Sequence, residues 1–224
     1  MLQLFHVVCV LLPLTLVAQE DVPAAVNKED FPAIDARATG MALKDQNIIV
    51  LTDSLLAPYT TDREKARAIY AWLGAHIAYD CGGENRLAEE PETAVHPLYY
   101  TQQQVENILK TRRTRCDGYA LLFKLMCNLG GIYCSRLEGY ARFTAEKVDP
   151  ATVHPNHAWN AALLDGNWCE IDVTAGAGKC AGSRFHRQLD DAHFCMSAKL
   201  LEQKYILIED ERQSQYQGRV ILKF

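Results

Sequence analysis

Residues 111–131 read TRRTRCDGYALLFKLMCNLGG: a cysteine at the mouth of an apolar, helix-forming run that a glycine pair stops. Cys127 lies inside the apolar stripe, where a thiol behaves as a small hydrophobe. Cys116 instead falls in the first turn. Backbone N–H groups lack intrahelical partners there, and the positive end of the helix dipole favours a thiolate. Gly130-Gly131 is an ordinary helix terminus. Arg112, Arg113 and Arg115 precede the run. They read either as solvated surface charges or as groups that lower the Cys116 pKa or contact an anionic substrate.

Upstream, TTDREKARAIYAWLGAHIAYD is the clearest helix. Thr61 and Glu64 match a capping box, and Ala66, Ile69, Tyr70, Leu73 and Ile77 recur at helical spacing. Trp72 and His76 read as packing residues on it. NIIVLTDSLL predicts a helix through Leu51 and Leu55. Residues 19–44 read as a loose polar lead-in, and residues 81–100, with Gly82, Gly83, Pro91 and Pro97, as a long surface loop. Thr101 and Gln104 offer a second capping box that opens a short helix through Val105, Ile108 and Leu109.

Downstream, IYCSRLEGYARF alternates as a strand, and HAWNAALLDGNWCEIDVT carries Asp165-Gly166, a strong hairpin turn. With a two-residue turn, Leu164 faces Asn167. His157 then falls opposite Thr174, and Asp172 opposite Trp159. His157 and Asp172 share a face as diagonal neighbours, where an aspartate orients an imidazole and stabilises its charged form. Together with Cys116 they are the residue types of a thiol triad: nucleophile, proton shuttle and orienter. Helices first and paired strands later specify an α+β domain.

The 224 residues suit a single domain after the leader, over 19–224. Apolar residues make up 49%, enough for a core, and a net charge of −5 argues against a nucleic-acid partner. The start, MLQLFHVVCVLLPLTLVAQE, is apolar through Ala18 and then acidic, which reads as a cleaved export signal over 1–18. The expectation is therefore a secreted or periplasmic protein with no stable membrane association once the signal is removed. Its n-region has His6 but no Lys or Arg, so an uncleaved anchor is the alternative.

Of the eight cysteines, Cys9 lies in the leader and seven remain. An odd number leaves at least one thiol unpaired in an oxidising compartment. Cys180 and Cys195 flank a loop and are the pair most readily bridged. Cys169, Cys180, His193 and Cys195 lack the tight spacing of structural zinc, so neither metal nor cofactor is expected.

RCDGYALLFKLM, GGIYCSRLEGYAR, HAWNAALLDGNW and EIDVTAGAG together resemble the transglutaminase-like superfamily. DREKARAIYAWLGAHIAYD resembles the helix before the nucleophile in its kyphoscoliosis peptidase-type branch. The resemblance spans about Phe31 to Gly178 and extends more faintly to DERQSQYQ. It implies a papain-like α+β core with the nucleophile helix packed on an antiparallel β-sheet. It also implies Cys116 as nucleophile, His157 as base and acid, and Asp172 as orienter. Tyr79 becomes a candidate oxyanion donor, and Trp159 and Arg115 candidates for the substrate groove. Two positions depart from the family pattern: Thr114-Arg115 stand where glycine and an apolar residue are frequent, and Ala175 stands in place of a tryptophan.

The implied activity is acyl transfer on peptide or side-chain amides of a protein or peptide substrate, by hydrolysis in preference to cross-linking. A protein-glutamine transglutaminase and a non-catalytic binding module with the same fold are the alternatives. A disulfide- or zinc-stabilised structural domain is a third.

Overall fold

The computed structural model describes residues 31–42, 47–82, 97–142 and 154–210. The proposed export signal, residues 1–18, and the DERQSQYQ segment beyond Asp210 lie outside them.

The first half is helical: α1 (Phe31–Gly40), α2 (Ile48–Leu56), α3 (Asp62–His76), α4 (Pro97–Thr111) and α5 (Cys116–Leu129), with two short strands, β1 (Ala78–Tyr79) and β2 (Arg113–Thr114). The second half carries β3 (Cys134–Ala141), β4 (His157–Leu164), β5 (Asn167–Ile171), α6 (Val173–Ala177), β6 (Gly178–Ala181), β7 (Arg184–Arg187), α7 (Ala198–Lys204) and β8 (Tyr205–Asp210). Strands β5-β4-β3-β8 form an antiparallel sheet in that order. The α+β class and its helix-on-sheet arrangement follow.

Helix α3 is the hub. The expected capping box closes at its start, and every residue from Ala66 to Gly74 is buried. That stretch is buried on all sides because α1, α5 and α6 pack around it. Arg67 is the charged residue within it. Fully buried, its Nε and Nη2 donate to Asp35 at 2.8 and 2.6 Å, and Nη2 also donates to Asp191 at 2.5 Å. The rings of Phe31, Tyr70 and Phe194 pack around the guanidinium, 4.4 to 5.3 Å from its carbon. The paired carboxylates and ring faces compensate a charge that could not otherwise be removed from water.

The hairpin turns at Asp165-Gly166, both at positive φ (50° and 85°), with Leu164 opposite Asn167 and Asn160 opposite Ile171. That is the register read from the sequence. The ladder stops at Ile171, however, because Asp172 caps α6 by accepting from Ala175 N at 3.0 Å. The expected pairs His157–Thr174 and Asp172–Trp159 therefore do not form.

Other expectations are corrected. The segment 19–44 holds a helix, α1, whose buried stripe of Phe31, Ile34 and Ala38 is too short to stand out in sequence. Helix α4 begins at Pro97, within the expected loop, so Thr101 sits in its second turn and cannot cap it. Proline suits a first helical turn, where its missing N–H costs nothing. Cys180 bonds Cys81, 99 residues away with a Cα–Cα distance of 5.8 Å, and not Cys195. The disulfide ties β6 to the turn that follows β1, whereas Cys195 lies near Cys169 of β5, both within reach of Arg63. Cys180 is thus withdrawn from any metal set, and among the described residues no His, Cys, Asp and Glu side chains group as a metal site.

Two stability outcomes follow. Closing so long a loop contributes about 4–5 kcal/mol in the chain-entropy model, so Cys81→Ser should lose a large part of that in a urea titration. Arg67→Met leaves Asp35 and Asp191 without their cation. With both carboxylates partly in water, the loss should be about 2–4 kcal/mol in the same measurement.

Candidate active site

Cys116 is the first residue of α5, and Arg115 occupies the cap position without a side-chain cap bond. Three ties fix the start of this helix. Strand β1 runs parallel to β2, with Ala78 N donating to Arg112 O and Asp80 N to Thr114 O, both at 2.8 Å. The Tyr119 hydroxyl donates to Ile77 O at 2.8 Å. The Asn160 amide, fully buried on β4, donates to Ala120 O at 3.0 Å. Gly118 lets the first turn lie against β2, since a Cβ there would collide with Thr114 Oγ1 and Ile108.

His157 opens β4 and is 1% exposed, and Cys116 is 2% exposed. Nε2 of His157 meets Asp172 Oδ2 at 2.7 Å, and Cys116 also bears on the ring, helping to raise its pKa. Burial alone would lower the His157 pKa, but the Asp172 charge and bond, with a further contribution from Cys116, raise it to about 10. Burial likewise pushes Asp172 up, yet His157, the Ala175 N–H and His193 leave its carboxyl below the usual carboxylate range. The three side chains grouped by the sequence reading are therefore buried together, His157 bonded to Asp172 and acted on by Cys116.

Tyr79 stands beside this array on β1. Burial first, then the neighbouring Cys116, raise its pKa against the influence of Arg115, and the raised pKa favours keeping the hydroxyl proton. The three arginines diverge. Arg115 reaches Tyr79, exposed Arg113 pairs with Asp80 at 3.5 Å, and Arg112, at φ 55°, lies over the Trp72 ring at 5.7 Å. Trp72 and His76 pack on each other at 4.9 Å.

Trp159 is corrected as a groove residue. It is 1% exposed, lies nearly parallel to the His157 ring at 6.1 Å, and its Nε1 donates to Glu170 at 2.8 Å. The face it shares with His157 is covered by Met196, Leu200, Leu201 and Tyr205, so it forms the floor beneath the imidazole. A cleft of about 690 Å³ lies next to the array instead, lined by Tyr79, Ala141, Thr174, Ala175, Phe185 and Tyr205 among others. Ala175, the departure noted in sequence, is one of its walls.

Tyr205 escaped the sequence reading altogether. Its hydroxyl donates to Asp172 Oδ2 at 2.8 Å and lies 3.3 Å from His193 Nδ1. It comes from β8, with no local motif to mark it. His193 entered the sequence reading only as a possible metal ligand. Its carbonyl accepts from Asp172 N at 3.0 Å, so it belongs to the support of the carboxylate.

Residues 50–173 match the family model of the transglutaminase-like superfamily. The chain is 34% identical over 155 residues to kyphoscoliosis peptidase of Homo sapiens, covering 69% of this chain and 22% of that protein. It is 24% identical over 157 residues to hillarin of Drosophila melanogaster, covering 66% and 17%. It thus spans about a fifth of the length of these curated relatives. Among solved structures it is similar to a TGase at 20% identity and TM-score 0.40, covering 78% of this chain and 40% of that one. The periplasmic domain of TgpA from Pseudomonas aeruginosa aligns at 18% identity and TM-score 0.40, covering 64% and 47%. With the family model covering more than half its length, the chain belongs to the transglutaminase-like superfamily.

Proposed function

We propose that this chain is an exported, thiol-dependent acyl-transfer enzyme that hydrolyses peptide or side-chain amides. The observation that carries the reading is the buried grouping of Cys116, first residue of a helix, with His157, whose Nε2 is bonded to Asp172. The name of the human and mouse relatives, kyphoscoliosis peptidase, supports hydrolysis. The Cys81–Cys180 disulfide and the apolar leader support an oxidising compartment outside the cytoplasm.

In this mechanism the Cys116 thiolate attacks the amide carbonyl carbon, and the C=O electron pair moves onto oxygen. The Cys116 backbone N–H, unpaired within the first turn of α5, and the Tyr79 hydroxyl donate to that oxyanion. The His157 imidazolium gives its Nδ1 proton to the departing amine as the C–N bond breaks, leaving a thioester on Cys116. Neutral His157 then takes a proton from water, whose oxygen attacks the thioester, and the thiolate is regenerated with the acid product. Asp172 holds the Nε2 proton throughout and compensates the imidazolium charge.

The test is intact-mass analysis with a peptide amide and a competing primary amine. A transient adduct on Cys116 that yields the free acid supports the proposal. An amine-linked product would make the protein a cross-linking enzyme, and binding without any adduct would make it a binding module. Cys116→Ala should lower turnover by at least about a thousandfold with an unchanged circular dichroism spectrum. Asp172→Asn should cost roughly 10²–10⁴-fold, because nucleophile and shuttle remain.

A pH profile gives a further outcome. Activity should fall as pH rises through about 10, where His157 loses the proton destined for the leaving amine. Asp172→Asn removes the charge that raises this pKa, so the alkaline limb should move to lower pH.

A further inference from the structure

Behind β5, on the sheet face opposite His157, lies a second cluster of reactive side chains. Cys169 and Cys195 lie close enough that each thiol shifts the pKa of the other. Arg63, from the first turn of α3, straddles both sulfurs, with Nη1 3.7 Å from Cys195 Sγ and Nη2 3.9 Å from Cys169 Sγ. The backbone brings the two cysteines together. Met196 N donates to Glu170 O at 2.9 Å and Asp172 N to His193 O at 3.0 Å, so segment 193–196 runs along the outer edge of β5. Cys195 is held at φ 53°, a left-handed conformation that cysteine adopts rarely. It is half-buried and Cys169 is buried, so a small reagent approaches from the Cys195 side.

We propose that Cys169 and Cys195, clamped by Arg63, form a thiol–disulfide exchange site that reacts with low-molecular-weight disulfides and closes to an intramolecular disulfide. The two thiols are unequal. The neighbouring Cys195 lowers the Cys169 pKa most; burial opposes it and Arg63 adds to it, leaving Cys169 at about 7. Cys195 is pushed up by Cys169 and by burial. A thiol with a pKa near ambient pH is close to the optimum for attack in exchange.

Cys169 is therefore the attacking thiolate. Its sulfur bonds to one sulfur of glutathione disulfide, the S–S bond of the reagent breaks, and a glutathione thiolate leaves and takes a proton from solvent. Cys195 then loses its proton to solvent and attacks the Cys169 sulfur of the mixed disulfide, expelling the second glutathione thiolate. The protein dithiol is oxidised to a disulfide, and the reagent is reduced to two thiols. The new bond fixes β5 to the segment whose His193 carbonyl holds the Asp172 backbone.

The site is tested by equilibrating the full-length native protein, and in parallel its Cys116→Ala variant, in glutathione buffers of graded ratio. The products are acid-quenched, alkylated and mapped without reduction. The expected result in both proteins is a peptide pair joined through Cys169 and Cys195, with Cys81–Cys180 intact. Cys195→Ser should instead accumulate glutathione on Cys169. Arg63→Met should slow formation of the mixed disulfide on Cys169 several-fold, because the guanidinium that favours its thiolate is gone. Recovery of both cysteines as alkylated thiols at the most oxidising ratio would overturn the proposal. So would glutathione on Cys195 and not Cys169 in the native protein, or a disulfide joining either one to Cys81 or Cys180. The mapping reads the 169–195 bond independently of any acyl-transfer activity, so it stands or falls apart from the function proposed for Cys116.

Discussion

Asp172 is a carboxylate with no access to water, and the architecture around it is arranged to keep it ionised. Burying such a charge costs several kcal/mol unless each lone pair is met. Oδ1 accepts from Ala175 N; Oδ2 accepts from His157 at 2.7 Å and from Tyr205 at 2.8 Å. Its backbone N–H donates to His193 O, and its carbonyl accepts from Gly176 N. These partners come from β4, α6, β8 and the segment after β7, so one residue, through its side chain and backbone, makes four parts of the fold interdependent. The same bonds that compensate the buried anion give His157 a fixed orientation and a raised pKa.

Cys116 belongs to the other half of the chain, and its placement has a different cause. Helix α5 is pinned at its start by the β1–β2 pairing and by Tyr119, and along its length by Asn160 from the hairpin. The nucleophile candidate and the imidazole therefore meet where a helical unit rests on the sheet. The Cys81–Cys180 disulfide crosses that junction close to Tyr79, joining the helical half to β6. A long-range covalent tie is best placed here, because local hydrogen bonding in either half does not define their relative position.

What could be read from sequence is what is written locally. The Thr61–Glu64 box, the glycines after Leu129 and Asp165-Gly166 each specify geometry within a few residues, and each forms as read. The hairpin register, continued past Ile171, predicts His157 and Asp172 on one face; the two do meet at 2.7 Å, with Asp172 at the cap of α6 and not in the ladder. Asp172 departs from the ladder because a carboxylate that can cap α6 satisfies more groups there than it would in β5, a choice alternation does not reveal. Tyr205 and the Cys81 partner of Cys180 were illegible for a common reason: their positions depend on which distant elements pack together. Trp159, a groove candidate by resemblance, lies under cover because β4 is packed on both faces, which a family motif does not reveal.

The charge state that suits acyl transfer also stabilises the fold. His157 has a folded pKa near 10 against about 6.5 unfolded, so its stabilising contribution is full below about 6.5 and is lost as pH rises through 10. Asp172 is depressed below its unfolded value of about 3.9, so its contribution is present above that value and is lost as pH falls through the lower, folded one. The two windows overlap across neutral pH. There imidazolium and carboxylate stabilise each other in the folded chain and have no such partner in the unfolded one. Turning His157 neutral during thioester hydrolysis temporarily gives up part of that stabilisation. The surrounding bonds from Ala175, Tyr205 and the His193 carbonyl hold Asp172 in place through that step, so the carboxylate remains aligned when the proton returns.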